Sequence, residues 1–267
     1  MFATVMSIAG LDPSGGAGLA ADLKTIASFR CHGAGALTAI TVQNAKGVQS
    51  IQPVAPDLLA SQVRAVVADT EVRAVKVGML GNSGLVRQVA QLIGELRLPN
   101  VVLDPVLCSS SGFDLLDQEG RELLRSQLLS KAEVVTPNLS EAASLTGRSV
   151  GNVAEMKEAA RELHRMGAHH VVVKGGHLPD RPVDVLFDGE DFALFDSSRI
   201  AVSGAHGLGC TFSSALACGL ARGFPMVQAV EDAKRYVAAT LAAGVRSQNG
   251  NPLLDHGAAW DGGKRRS

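Results

Sequence analysis

VVTPNLSEAASL (Val134–Leu145) holds a strand, a turn and the start of a helix in one short stretch. Val134, Val135 and Thr136 are β-branched and suit a pleated sheet. Pro137 turns the chain and Asn138 is a favoured helix cap. Glu141, three residues on, completes a capping-box pattern. A strand that hands over directly to a helix is the unit of an α/β sheet.

The same unit recurs in both directions along the chain. Strands are expected at Thr4–Ala9, Ala36–Val42, Ala74–Gly78, Val101–Asp104, Val134–Thr136, His170–Lys174 and Val183–Phe187. Helices are expected at Gly18–Ser28, Asp57–Asp69, Ser83–Leu96, Gln118–Leu129, Asn138–Leu145, Ala154–Met166, Gly209–Arg222 and Met226–Ser247. This alternation predicts an α/β fold with a mostly parallel sheet covered on both faces. Ligands of such sheets bind beyond the carboxyl ends of the strands. The polar and Gly-rich motifs follow those ends, which points to one shared cleft. Residues 41–53 differ. TVQNAKGVQSIQP reads as strand, turn and strand, a small β flap. Residues 1–260 read as a single domain and 261–267 as a polar tail.

Composition narrows the partners. A chain of 267 residues with 46% hydrophobic and 19% charged residues is globular. Its net charge of −1 supplies no basic field for nucleic acid or membrane. Aromatics at 4% argue against base-stacking surfaces. Cys31, Cys108, Cys210 and Cys218 show no zinc-type spacing, so free thiols in a reducing cytoplasm are expected. MFATVMSIAG lacks the basic region of a signal peptide, and no apolar run reaches membrane length.

The chemistry-bearing motifs are few. Ser203–Thr211 (SGAHGLGCT) is rich in glycine and runs into a small-residue helix. Glycines allow close backbone approach, and a helix start offers unpaired N–H groups with a positive dipole end. Together they form a socket for negative charge, most often phosphate, or else a plain helix entry. Cys210 stands at the mouth of that socket, where its thiol pKa is expected to be lowered. His206 carries no assigned proton-transfer role. Gly10–Gly18 (GLDPSGGAG) fits neither the dinucleotide nor the Walker fingerprint, yet can wrap a compact substrate. Asp22 either accepts a hydrogen bond from that substrate or favours the helix N-terminus. Asp104, at a strand end, and Glu141 are candidate oxygen ligands of Mg²⁺, with helix capping the alternative for Glu141. Lys174, followed by Gly175 and Gly176, suits a point charge on a polyphosphate. Cys108 lies in the Ser-rich loop after Asp104, beside the expected cleft.

In order and wording these motifs resemble the ribokinase-like small-molecule kinases. Within them the chain is similar to the hydroxymethylpyrimidine/phosphomethylpyrimidine kinases of thiamine biosynthesis. The resemblance rests on AGLDPSGGAGLAADLKT (9–25), TAITVQNAKGVQS (38–50), KVGML (76–80), VVLDPV (101–106), TPNLSEA (136–142), VVVKGGH (171–177) and HGLGCTFSSALA (206–217). It implies a three-layer fold with a β flap and an enzyme using ATP and Mg²⁺. The substrate pyrimidine is then held by Gly10, Asp22, Gln43, Met79 and Val106. Gly207, Leu208, Gly209 and Cys210 correspond to the anion hole, with Cys210 in the place of the catalytic cysteine. Lys174 matches the phosphate-binding lysine. Asn138 falls in the nucleotide site, and Asp104 with Glu141 supports Mg²⁺. A cytoplasmic homodimer with the flap at its interface is implied too.

One departure is plain. The family has Gly-Thr-Gly-Cys where this chain has Gly207-Leu208-Gly209-Cys210, so a hydroxyl beside the transferring phosphate is lost. A pyridoxal kinase and a non-catalytic ligand-binding homologue remain the alternatives.

Overall fold

The structure is a computed structural model that describes residues 2–44, 47–109, 111–197, 199–200, 205–248 and 250–258. The first part of the chain forms β1 (Thr4–Leu11), α1 (Gly18–Ser28), β2 (His32–Asn44), β3 (Gly47–Pro53), α2 (Pro56–Asp69), β4 (Val72–Val77) and α3 (Ser83–Leu96). Then come β5 (Val101–Leu103), α4 (Gln118–Leu123), β6 (Val134–Val135), α5 (Leu139–Thr146), α6 (Val153–Arg165) and β7 (His170–Val173). The last part adds β8 (Val183–Phe187), β9 (Phe192–Asp196), α7 (Leu208–Ala221), α8 (Met226–Ala242), β10 (Val245–Arg246) and β11 (Pro252–Leu253).

One sheet runs β3-β2-β1-β4-β5-β6-β7-β8-β9. Its interior, β2 to β7, is parallel, and β3, β8 and β9 pair antiparallel at the edges. The parallel strands are buried on both faces and alternate their side chains between two cores. Met6 and Ile8 join Leu59, Leu85, Leu145 and Met156 on one face. Val5 joins Ile26, Leu216 and Ala233 on the other. Burying each such Leu or Ile is worth about 1.5–3 kcal/mol. This is the three-layer α/β arrangement expected from the alternation. The chain leaves β1 towards β2 on one side and returns to β4 on the other. That reversal opens a crevice above the carboxyl ends of β1 and β4, where ligands of such sheets bind.

α7 is the central helix of its layer. Ser213, Ser214, Ala215, Ala217 and Cys218 are all buried, and a Cβ at Gly219 would lie 2.8 Å from Ala229 Cβ. Small side chains let α8 approach closely while α7 also packs on α1 and β4.

The structure corrects several boundaries. The helix expected over Gln118–Leu129 stops at Leu123 and continues as a π turn (Leu124–Leu128) and a 3₁₀ turn (Leu129–Lys131). The wider turn rotates the chain so that Leu124, Leu128 and Leu129 are all buried. The helix expected to reach Ser247 ends at Ala242, because Val245 and Arg246 pair with Leu253 and Pro252. β9 was not expected. Its signal is Asp188-Gly189-Glu190-Asp191, where the Asp188 carboxylate accepts the Glu190 and Asp191 N–H groups and folds β9 back on β8. The flap is present as the antiparallel β2–β3 pair, with Asn44 opposite Gly47. The polar tail at 261–267 lies outside the described residues.

Candidate active site

Two glycine-rich segments meet backbone to backbone. Gly207 caps α7 with φ 85°, and a Cβ there would lie 1.9 Å from Gly16 O. Only glycine tolerates both the left-handed conformation and that approach. Thr211 N–H donates to Gly207 O at 2.9 Å and closes the first helical bond. The N–H groups of Leu208, Gly209 and Cys210 precede that bond and have no partner within the helix. They lie at the turn where the sequence places an anion socket. Ser203 and Gly204, which open the motif, lie outside the described residues.

A lysine faces this socket. Lys174 follows β7, and its Nζ would be 3.1 Å from a Cβ at Gly209. The same Nζ donates to Asp104 Oδ1 at 2.8 Å. Asp104 is buried and also accepts from Thr136 Oγ1 at 3.3 Å and Ser213 Oγ at 3.4 Å. Burial alone would raise its pKa, but Lys174 and then Lys76 hold it below the ordinary value. Burial would likewise lower Lys174, and Asp104 with Glu141 raises it instead. Lys174 is therefore a fixed cation.

Glu141 caps its helix as the capping-box pattern predicts. Its Oε2 accepts Asn138 N–H at 2.7 Å, and Asn138 Oδ1 accepts Glu141 N–H at 2.9 Å. Burial pushes its carboxyl up to about 7; Lys174 opposes the rise and the Asp104 charge adds to it. The carboxylates of Asp104 and Glu141 thus share one cation between them. Among the described residues no group of three or more His, Cys, Asp or Glu forms a metal cage. This donor set fits Mg²⁺ carried on phosphates with its waters, which needs only one or two carboxylates.

Asp22 departs from both expectations. It lies beyond the first turn of α1, and its carboxylate is fully buried. It accepts Lys76 Nζ at 2.8 and 3.0 Å, Ser7 Oγ at 2.6 Å and Ser214 Oγ at 2.8 Å. Its hydrogen-bond partners among the described residues are all protein side chains. Lys76 is also fully buried; burial would lower its pKa, but Asp22, Cys210 and Asp104 together outweigh this and hold it above the ordinary lysine value. The sequence reading missed Lys76. Its signal was a lysine inside the apolar strand AVKVG (74–78).

The Cys210 thiol is a correction. Burial pushes it up to about 11, against the lowering expected from its helix position. Lys76 and the Gly18 N–H oppose the rise, while Asp22 and Asp104 add to it. Lost hydration and the two carboxylates outweigh Lys76 and that N–H. Alkylation of Cys210 by iodoacetamide, followed by peptide mass mapping, should be slow at pH 7 and climb steadily towards pH 11. The sign follows from the raised pKa: the neutral thiol persists as pH rises, and thiolate appears only near that value. A rate plateau by pH 8 would overturn this assignment.

Beside the flap lies a small apolar cluster with one polar rim. Met79 and Leu115 are buried with Ala39, and Val106, Val48 and Ile51 pack on them. A Cβ at Gly10 would strike Met79 Cε at 2.6 Å, so the expected trio Gly10, Met79 and Val106 meets here. The Gln43 amide lies 2.7 Å from His206 Nε2, which lies 3.0 Å from Asp12 Oδ2. Asp12 in turn accepts Ser14 N–H at 2.8 Å and Ala17 N–H at 2.9 Å. One hydrogen-bonded chain therefore ties the flap, the α7 entry and the first glycine loop. His206 is a hydrogen-bonding residue, as the sequence allowed, whereas Asp12 had been assigned no role. Cys108 is exposed on the following loop, with its thiol directed at Asp114 Oδ1 at 3.2 Å.

Residues 12–255 match the sequence model of the phosphomethylpyrimidine kinase family. The chain belongs to that family. As a member it is a phosphotransferase, and its relatives are enzymes of thiamine biosynthesis. The hydroxymethylpyrimidine/phosphomethylpyrimidine kinase of Rhizobium meliloti is 42% identical over 252 residues, covering 94% of this chain and 94% of its own. The thiamine biosynthesis bifunctional protein ThiED of Geobacter sulfurreducens is 42% identical over 95% of this chain, which spans 52% of that protein's length. Among solved structures, the ADP complex of Bacillus subtilis pyridoxal kinase superposes with a TM-score of 0.89 at 35% identity. It covers 97% of this chain and 98% of its own. No helix among the described residues is long and apolar enough to cross a membrane.

Proposed function

We propose that this family kinase transfers the γ-phosphoryl group of ATP to 4-amino-5-hydroxymethyl-2-methylpyrimidine, and to its monophosphate to give the diphosphate. The observation that carries the reading is the convergence of Lys174 on the N-terminus of α7, with Cys210 in the same turn. A cation and a set of helix N–H groups aimed at one point stabilise charge on a transferring phosphoryl group. Lys174 and the Leu208–Cys210 N–H groups bind the phosphates. Asp104 and Glu141 would hold Mg²⁺ through its waters, and that ion neutralises phosphate charge. Met79, Val106 and Gly10 clasp the ring, and Gln43 reads its edge. Asp22 supports this floor through Lys76 and is not assigned a ring contact. Asn138 shapes the turn beneath the nucleotide.

Cys210 acts as a neutral thiol. A group with a pKa near 11 does not pull a proton away at pH 7, so it orients the hydroxymethyl oxygen by hydrogen bonding. Cys210→Ala is then expected to lower kcat by about tenfold to a hundredfold while leaving substrate KM within about threefold. Unchanged turnover would remove the thiol from the reaction.

The deciding assay is ADP release with Mg-ATP and the pyrimidine, its monophosphate or pyridoxal. Pyridoxal is included because a pyridoxal kinase superposes so well. Turnover of both pyrimidines well above pyridoxal supports the reading and shows that Leu208 suffices in place of threonine. Preference for pyridoxal would replace the substrate, and no turnover would leave a binding protein. We also place the enzyme in the cytoplasm as a homodimer. Ile40 and Val42 on the flap strand are 51% and 54% exposed, an apolar face suited to a second copy. Light scattering in solution tests that state.

A further inference from the structure

The loop after β7 is held by a buried ion pair that the reaction described above does not use. Asp184 stands on β8 and Lys234 on α8, and both side chains are largely shielded from solvent. Asp184 Oδ2 accepts Lys234 Nζ at 2.7 Å, and Asp184 Oδ1 accepts the Gly175 N–H at 2.8 Å. Lys234 Nζ also reaches Pro182 O at 3.5 Å. Gly175 directly follows Lys174.

We propose that Asp184 and Lys234 are positioning residues that fix Lys174 for the ATP phosphates. A lysine head on a long flexible stem is placed only if its backbone is placed first. Here the backbone is held at two points. Lys174 N–H donates to Pro137 O at 2.8 Å on one side, and Gly175 N–H is held by Asp184 on the other. The space at Gly175 is closed as well: a Cβ there would lie 2.0 Å from Val183 O. β8 therefore presses directly on this peptide, and the carboxylate of the next residue, Asp184, supplies its hydrogen bond. Lys234 acts through Asp184. Without the ammonium the buried carboxylate loses its charge partner and the geometry of its bond to Gly175 is no longer fixed. The chain of contacts runs from α8 to Asp184, to Gly175, to the Lys174 stem, and ends at its ammonium beside Asp104 and Gly209.

The inference rests on the reading of Lys174 as a phosphate-binding residue, so the test carries its own control. Full-length Asp184→Ala, Lys234→Met, Lys234→Arg and Lys174→Met are compared by ADP release, varying Mg-ATP and pyrimidine separately, with thermal melting alongside. Asp184→Ala is expected to raise KM for Mg-ATP about tenfold, with KM for the pyrimidine changed less than about twofold. Lys234→Met should shift the same constant in the same direction, and Lys234→Arg should restore most of it. Should Asp184→Ala fail to fold, Lys234→Met carries the comparison. A pair that merely braces α8 would lower the melting temperature and leave KM for Mg-ATP at its native value. That result, with Lys174→Met impaired, overturns the positioning role alone. Native KM for Mg-ATP in Lys174→Met overturns the phosphate reading and this proposal with it.

Discussion

Lys174→Met is expected to lower kcat/KM for Mg-ATP by about 10²–10³-fold, the range seen when one preorganised donor to a developing charge is removed. The ammonium is the one side-chain cation in contact distance of both Asp104 and the Gly209 end of α7 among the described contacts. Its loss has a double effect. The phosphoryl group loses a partner in a water-poor site, and Asp104 keeps only hydroxyl donors from Thr136 and Ser213. Lys174→Arg should not rescue the rate fully. A planar guanidinium is wider than an ammonium, and it binds as a fork rather than a point charge. Steady-state kinetics with circular dichroism as a fold check decides the matter. A loss of less than about tenfold would show that the helix N–H groups carry the phosphate without the lysine.

The largest stability effect belongs to Lys76. Lys76→Met is expected to cost about 3–5 kcal/mol, because it strands a fully buried Asp22 carboxylate with two hydroxyl donors. For a chain of this size that corresponds to a melting temperature lower by roughly 10 °C. Adding Asp22→Leu to Lys76→Met should recover part of the loss, since a buried pair replaced whole by apolar groups is often neutral. A single variant within about 1 kcal/mol of the native protein would show that water reaches the pair. The same change should slow phosphoryl transfer beyond its effect on stability. Lys76 is one of the charges that counter the rise of Cys210 and hold Asp104 ionised.

The sequence showed the architecture through local signals. Pro137, Asn138 and Glu141 marked one strand-to-helix passage, and the capping box is present atom for atom. Lys174, Asp104 and Gly207 were legible because polar or glycine residues at the ends of apolar strands have few structural uses. What escaped was set by distant neighbours. Asp22 carries no mark of its partner, because Lys76 lies on a strand far along the chain and Ser214 on a late helix. The direction of the Cys210 shift escaped for the same reason. A helix start is visible in sequence, whereas the burial and the two carboxylates that override it come from three other segments. Asp184 looked like an ordinary strand residue until Lys234 and Gly175 were seen on either side of it.

The contact of the two glycine loops also sets when this enzyme comes into being. Asp12 and His206, bonded across that seam, are 194 residues apart in the chain. At a synthesis rate of about 5–20 residues per second, roughly 10–40 s separate their emergence from the ribosome. Through that interval β1 and its loop exist without the helix that completes the proposed phosphate socket. A nascent chain halted before α7 should therefore be inert however well its sheet has formed. Activity arrives as a late event, with the last helices, when the newest part of the polypeptide closes over the oldest.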